Sequence, residues 1–261
     1  MTVLGVPRVH LRRTDSTNRH ARELAAAGAP HGTLVTATEQ SAGRGRQGRT
    51  WTAPPGRAIL ASLIVRDPPQ LLPLAAGVAV AQVAEAAWVA GAAAVAEAAA
   101  VAEAAEVAEA VSVTGERARI KWPNDVLVAG RKVAGILVEG RPQEGWAVVG
   151  IGLNVAVRAQ DFPPELRDRA ASLGLDPVDV ESVLERLLGW LERWIPAPAD
   201  DVLAAVRARD ALLDVPIRWG GGEGRGAGID GSGRLIVATA DGRITLEAGE
   251  VHLGVAVAPA D

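Results

Sequence analysis

Two basic, turn-rich stretches carry most of the chemistry this sequence can support. One is Gly-Arg-Gly-Arg-Gln-Gly-Arg at 43–49; the other is Lys-Trp-Pro-Asn-Asp at 121–125, followed seven residues after Asp125 by Lys132. The first spells two nucleotide fingerprints at once. Gly43-x-Gly45-x-x-Gly48 matches a dinucleotide loop, and Gly43-x-x-x-x-Gly48 followed by Arg49-Thr50 matches a P-loop with arginine in place of lysine. Both require a helix directly after the last glycine, because the helix N-terminus carries the phosphate. The chain instead continues Thr50-Trp51-Thr52-Ala53-Pro54-Pro55-Gly56, which leaves no room for one. The apolar run Ile59 to Val65 then arrives too soon for a βαβ crossover, so Asp67, near the spacing of a ribose-binding acid, is discounted. The stretch is neither fingerprint. It is an anion loop of three arginines spaced by glycines.

Two cations about 6 Å apart repel by ~0.7 kcal/mol in water and by ~3 kcal/mol at an effective dielectric near 20. Empty, the loop is therefore expected to stay open and mobile, and to order around anions. A triphosphate and a carboxylate repel each other, and a cationic clamp lets them meet. That is the demand of carboxylate activation by ATP, where the carboxylate attacks the α-phosphate and pyrophosphate leaves. A loop that orders over the acyl-adenylate also excludes water from it. A solvated basic loop, or one that touches RNA as Arg-Gly segments do, is the plainer alternative.

In the second stretch Pro123 fixes a turn that presents Asn124 and Asp125 beside the end of a strand. An amide there can hydrogen-bond a base or ribose, and a carboxylate can hold Mg²⁺ brought by ATP, although Asn-Asp pairs also start turns without any function. The lysine count sharpens the picture. Of 27 basic residues only Lys121 and Lys132 are lysines. A chain that uses arginine elsewhere keeps a compact ammonium at two neighbouring places, unless composition bias alone explains it.

Composition sets the outer bounds. A chain of 261 residues with 49% hydrophobic content can bury one substantial domain and a smaller companion. The net charge of −4 argues against bulk attraction to nucleic acid or membranes, so the clustered arginines are local in purpose. No cysteine is present, which removes disulfides, thiol nucleophiles and cysteine-held zinc. His10, His20, His31 and His252 show no ligand spacing and read as surface or turn residues. No signal peptide or membrane span is apparent, and a cytoplasmic protein is expected.

Along the chain, Ser16-Thr17-Asn18 caps a helix over Arg19 to Ala27 that Gly28 closes. Strands are predicted over Thr33 to Thr38 and Ile59 to Val65, and a helix from Leu71 to about Val111. Inside that helix a six-residue repeat begins at Val95, Val101 and Val107. A step of six rotates by about 240°, so the valines form no single stripe and suggest no chemistry. Short β-rich runs follow at Arg117 to Lys121, Val126 to Val128, Lys132 to Glu139 and Trp146 to Asn154, joined by turns that imply an antiparallel meander. Helices are predicted at Val178 to Ile195 and Asp201 to Ala211, separated by Pro196 and Pro198. From Leu212 onward, Val215 to Trp219, a glycine cluster at Gly220 to Gly228, Leu235 to Thr239 and Ile244 to Leu246 suggest a small β-barrel.

Taken together the motifs resemble those of the biotin–protein ligases. Gly-Arg-Gly-Arg-x-Gly-Arg-x-Trp stands at 43–51, Lys-Trp-Pro-Asn-Asp at 121–125, Arg-Lys-Val-Ala-Gly-Ile-Leu-Val-Glu at 131–139 and Gly-Ile-Gly-Leu-Asn at 150–154. Asp-Ser-Thr-Asn at 15–18 and Thr-Glu-Gln at 38–40 also match, so order and spacing fit along nearly the whole chain. The resemblance implies an α+β fold, with a mixed or antiparallel sheet packed with helices in the manner of class II synthetases. That catalytic domain would span 1–211, with an Ala/Glu-rich helical stretch near 84–112, and an SH3-like barrel would span 212–261.

The resemblance also implies roles. Ser16, Thr17, Asn18 and Gln40 would surround the biotin ureido ring, and Gly135 would let backbone approach biotin. Arg44, Gly45 and Arg46 would cover biotin and the adenylate. Lys132 would reach the biotin carboxylate and the attacked phosphate, so that Arg44 and Lys132 carry the catalysis. Arg49, Trp51, Lys121, Asn124, Asp125 and Asn154 would bind ATP, with Asp125 on its Mg²⁺. The acceptor would be the biotin carboxyl carrier domain of acyl-CoA carboxylases, with no nucleic acid or membrane partner and a monomer or weak homodimer as the active form. Some relatives carry an N-terminal helix-turn-helix repressor domain; here the motifs begin at Asp15, and a single-function ligase is expected. Two alternatives remain: a lipoate or other acyl-carrier ligase on the same fold, disfavoured by polar groups suited to a ureido ring, and a non-catalytic biotin-sensing or RNA-contacting protein.

Overall fold

The computed structural model describes residues 3–99, 118–247 and 251–253. In chain order the elements are β1 (Arg8–Thr14), α1 (Thr17–Ala26), β2 (Leu34–Gln40), β3 (Ala58–Arg66), α2 (Leu72–Ala99), β4 (Arg119–Lys121), β5 (Asp125–Val128), β6 (Arg131–Arg141) and β7 (Trp146–Asn154). After them come α3 (Val180–Trp194), α4 (Ala199–Arg207), β8 (Pro216–Trp219), β9 (Gly222–Ile229), β10 (Leu235–Thr239), β11 (Gly242–Leu246) and β12 (His252–Leu253). Strands β1 to β7 form one mixed sheet in the order β1-β2-β3-β7-β6-β5-β4. The predicted α+β fold with helices on a mixed sheet is what the chain adopts.

Strand β3 is central because its run Ala-Ile-Leu-Ala-Ser-Leu-Ile-Val is buried on both faces. It pairs with β7 without a break from Ala58↔Asn154 to Arg66↔Trp146. The β4-β5-β6-β7 meander follows the predicted runs. Strand β1 was not legible: its arginines and histidine mask an alternation in which Val9 and Leu11 turn toward a small core under α1. It pairs in parallel with β2, and α1 is the crossover between them.

Helix α2 is apolar around its circumference, which marks a buried helix rather than a surface one. It lies under the sheet with α3 and α4 packed against it. Its polar residues Gln82 and Glu85 both have partners. Gln82 accepts the indole N–H of Trp194, and Glu85 holds Arg209 through two parallel hydrogen bonds of 3.2 and 3.0 Å. The predicted continuation of this helix to Val111 lies, from residue 100 onward, outside the described residues. Among the described residues no helix is long and apolar enough to cross a membrane.

The predicted helix over Asp201 to Ala211 is shifted. Helix α4 begins at Ala199, directly after Pro198, and ends at Arg207. The next residues serve the sheet instead: Ile120 N–H donates to Arg209 O at 2.7 Å, and Ala211 N–H donates to Ile120 O at 2.9 Å. An edge strand with unpaired backbone groups outcompetes the last helical turn. From Gly222 onward the glycine cluster is strand β9, paired on both sides in a five-stranded antiparallel sheet of order β11-β10-β9-β8-β12. Among the described residues β11 and β12 do not pair, so the sheet is not closed into a barrel there. Its inner residues Ile217, Ile229, Leu235 and Val237 join the same core as α2 and the large sheet. The indole N–H of Trp122 donates to Gly233 O at 3.0 Å and ties the 121–125 turn to this second sheet.

At that junction Asp210 is 4% exposed. One carboxylate oxygen accepts Leu212 N–H at 2.8 Å, and the other is buried without a partner among the described residues. Burial raises its pKa above the ordinary carboxylate value, against the opposing pull of the Leu212 N–H and of Arg119. A raised folded-state pKa means that its stabilising, protonated form is fully present below the unfolded pKa and is lost as pH rises through the folded one. Asp210→Asn should therefore gain on the wild type as pH rises from 4 to 7. Urea midpoints of both proteins at the two pH values check this; an unchanged gap contradicts it.

Candidate active site

Above the middle of the large sheet opens a cavity of about 850 Å³. Every residue singled out for chemistry lines it: Ser16, Thr17, Asn18, Gln40, Arg44, Gly45, Arg46, Arg49, Trp51, Lys121, Asn124, Asp125, Lys132, Gly135 and Asn154. Residues spread from position 16 to 154 thus converge on one concave surface.

The polar end is built on the start of α1. Ser16 is the N-cap, accepting Arg19 N–H at 3.4 Å. Thr17 donates both its N–H (2.7 Å) and its hydroxyl (3.0 Å) to Gln40 Oε1 at the end of β2. Ser62, fully buried in β3, reaches Thr17 Oγ1 at 2.9 Å and Asn18 Oδ1 at 2.7 Å. The Asn18 amide donates to Leu137 O at 3.2 Å and to Glu139 Oε2 at 2.9 Å. Asn18 is therefore engaged on every side by protein. Ser62 and Glu139 were not anticipated as site residues, and a lone serine inside an apolar strand was the signal for the first.

The arginine loop follows β2 with one short 3₁₀ turn at Arg46–Gly48, and no helix starts after its last glycine, as the prolines there predict. It closes on itself as a narrow hairpin: Trp51 N–H donates to Gly43 O at 2.9 Å, and Gly45 N–H to Arg49 O at 2.7 Å. The tip turns through Gln47 and Gly48 at φ of 54° and 75°. Charge repulsion and the glycines predict a loop that stays open and mobile until anions bind. The carboxylate of Glu139 lies 3.3 Å from Arg44 Nη1 and offsets part of that charge.

The floor is made by glycines. Gly135 on β6 pairs with Gly152 on β7, and the indole of Trp51 lies across them. A Cβ on Gly152 would sit 2.4 Å from the ring, so only glycine admits it. Gly150, on the same face, admits Asn18. The alternation Gly150-Gly152-Asn154 on one strand face was the sequence signal for this floor.

Lys132 enters from the tight β5–β6 turn, where Ala129 and Gly130 both have positive φ (49° and 70°), the geometry of a two-residue hairpin loop. Arg131 points out and Lys132 into the cavity, as the strand alternation predicted. Its Nζ is 2.7 Å from Asp125 Oδ1 and 5.6 Å from the centre of the Trp51 ring. Its backbone is pinned by the 169–171 segment: Lys132 N–H donates to Arg169 O, and Lys132 O accepts Ala171 N–H, both at 2.8 Å. Asn124 is held by Ile136 O at 3.1 Å, and Asn154 by Ala171 O at 3.0 Å.

Two buried polar atoms on this wall have no partner among the described residues, Trp51 Nε1 and Asn154 Oδ1. Both residues line the cavity, and a polar ligand there would satisfy them. His252 and Leu253 of β12 also line it, so the second sheet contributes to the site.

Comparison with known proteins agrees with this geometry. The model of the Biotin/lipoate A/B protein ligase family matches residues 10–155. The bifunctional ligase/repressor BirA of Bacillus spizizenii is 32% identical, over 97% of this chain and 75% of that protein. The biotin–[acetyl-CoA-carboxylase] ligase of Paracoccus denitrificans is 36% identical, over 94% and 99%. The solved biotin protein ligase of Aquifex aeolicus in complex with biotin and ATP superposes with a TM-score of 0.70 at 25% identity, covering 95% of this chain and 98% of that one. With the family's motifs gathered around one cavity and the family model matching more than half its length, the chain belongs to the Biotin/lipoate A/B protein ligase family.

Proposed function

We infer that the chain is an ATP-dependent biotin–protein ligase, which activates biotin to biotinyl-5′-AMP and passes it to a lysine of a biotin carboxyl carrier domain. The observation that carries this reading is a single cavity that joins an uncharged hydrogen-bonding end, suited to a ureido ring, to a cationic end built from Arg44, Arg46, Arg49, Lys121 and Lys132. A lipoyl head has no use for the first end. Ser16, Thr17 and Gln40 would face the ring, with Asn18 beneath them, and Gly135 gives the acyl chain room against the sheet. Lys132 would neutralise the carboxylate–phosphate encounter, while Arg44, Gly45 and Arg46 close over the adenylate. Arg49, Trp51, Lys121, Asn124, Asp125 and Asn154 would hold the nucleotide; the unpartnered Trp51 N–H and Asn154 oxygen support that assignment.

Magnesium belongs to this reading as an ion carried by the triphosphate. Among the described residues no three His, Cys, Asp or Glu side chains gather to hold a metal alone. Asp125 lines the cavity and fits one bond to such an ion, and bound there the ion would offset charge on the leaving pyrophosphate. The division into a catalytic part, 1–211, and a small β part, 212–261, belongs to the same reading, as do a cytoplasmic location, a monomeric or weakly dimeric state and the absence of a nucleic-acid partner, consistent with the net charge of −4. Pyrophosphate release that requires biotin and is not supported by lipoate tests the function. Equal release with lipoate returns the lipoate-ligase alternative.

If the arginine loop excludes water, Arg44→Gly or Arg46→Gly should leak biotinyl-AMP about tenfold faster, the scale of losing one charge-assisted hydrogen bond, while ATP binding changes less. Indiscriminate labelling of lysines on a bystander protein reports the leak; unchanged labelling contradicts the clamp.

A further inference from the structure

Along the cavity wall the polar contacts form one chain that begins just before the arginine loop and ends on it. Gln40, three residues before Gly43, accepts from Thr17; Ser62 joins Thr17 to Asn18; Asn18 donates to Glu139; and Glu139 meets Arg44, the residue after Gly43. Glu139 is the convergence point. Its Oε2 takes the Asn18 amide at 2.9 Å, and its Oε1 faces both Arg22 Nη1 and Arg44 Nη1 at 3.3 Å. Its side chain is 18% exposed, against 48% for Arg44, so the carboxylate is the fixed partner and the arginine the movable one.

We propose that Glu139 is a positioning residue of the ligase reaction. It anchors one edge of the Arg44 guanidinium and leaves the other N–H groups directed at the carboxylate and phosphate in the cavity. A guanidinium has five donors in a rigid fork, so one edge can be held by protein while another serves a ligand. The anchor itself is held by Asn18, so the rigidity of the uncharged end of the cavity is transmitted to the charged end. Glu139 touches neither substrate; it acts through Arg44. This rests on the ligase reading above and deepens it.

The test uses the full chain and follows biotinyl-AMP released to solvent, alongside biotin-dependent pyrophosphate release. Glu139→Gln keeps the shape and an acceptor for Asn18 but removes the charge that faces Arg44. Adenylate release should rise about tenfold, as expected for a hydrogen bond between charged groups, with a smaller change in the KM for ATP. Combined with Arg44→Gly, it should add less than about twofold to the release of the single arginine variant, because both changes remove one interaction. Glu139→Asp, which retains charge but draws back from the loop, should fall between wild type and Gln; it decides the matter if the Gln variant does not fold. Wild-type release from both Glu139 variants, or a double variant whose effect is the product of the singles, overturns the proposal. Loss of biotin-dependent pyrophosphate release in the wild type would instead remove the ligase reading on which it rests.

Discussion

Lys132→Arg is expected to lose roughly 3–4 kcal/mol of transition-state stabilisation in adenylation, about 10²- to 10³-fold in rate, with the fold intact. The ammonium of Lys132 sits in a narrow place. Asp125 is 2.7 Å away, the Trp51 ring lies below it, and a Cβ on Gly135 would come within 3.2 Å of it. A guanidinium keeps the charge but is broader and planar, and Asp125 would draw it into a two-pronged pair rather than leave it between two ligands. The charge would be present in the wrong place. Stability should hardly move, because the side chain is about one-third exposed and an ion pair of that kind contributes little. Single-turnover formation of biotinyl-AMP, together with the thermal midpoint, checks both halves. Near-normal adenylation would show that Lys132 is not the charge that lets carboxylate and phosphate meet.

Gly150→Ala is expected to cost about 3 kcal/mol of stability, since it both overpacks a buried site and breaks hydrogen bonds there. A Cβ at that position would lie 2.0 Å from Asn18 Oδ1 and 2.7 Å from its Cγ. Asn18 cannot retreat cheaply. It is 4% exposed and bonded to Ser62, Leu137 O and Glu139, so moving it breaks hydrogen bonds to all three. Gly189 in α3 is the natural control, with open space where its Cβ would go. There alanine should stabilise by ~0.5–1 kcal/mol through helix propensity. Denaturant midpoints of the two variants should move in opposite directions. A Gly150→Ala midpoint equal to wild type would mean that Asn18 is loosely held, and with it the route from the uncharged end of the cavity to Arg44.

Much of this architecture was legible because local signals and global packing agreed. The apolar run of β3, the hairpin turns of the β4–β7 meander and the Ser16 cap each follow from residue types within a few positions. The cavity residues were legible for a different reason: chemistry there demands rare side chains at fixed places, and two lysines among 27 basic residues stand out. What escaped depends on partners distant in sequence. Strand β1 looks polar until β2 and α1 cover alternate residues. The 209–211 segment has helical composition, and only the free edge of β4, some 90 positions earlier, makes it extended. In the sequence Glu139 reads like any exposed glutamate near a strand end; its importance comes from Asn18, Arg22 and Arg44, more than 90 residues away. The positions of Arg169 and Ala171 against Lys132 carried no periodic or turn signal at all.

The central claim is that one cavity both activates biotin and hands it to a carrier lysine. Its most direct test is the intact mass of a biotin carboxyl carrier domain after incubation with this chain, ATP and biotin. The predicted result is a single biotinyl addition on one lysine, absent when ATP is omitted and absent when lipoate replaces biotin. An unmodified carrier, or a carrier lipoylated as readily as biotinylated, would contradict it.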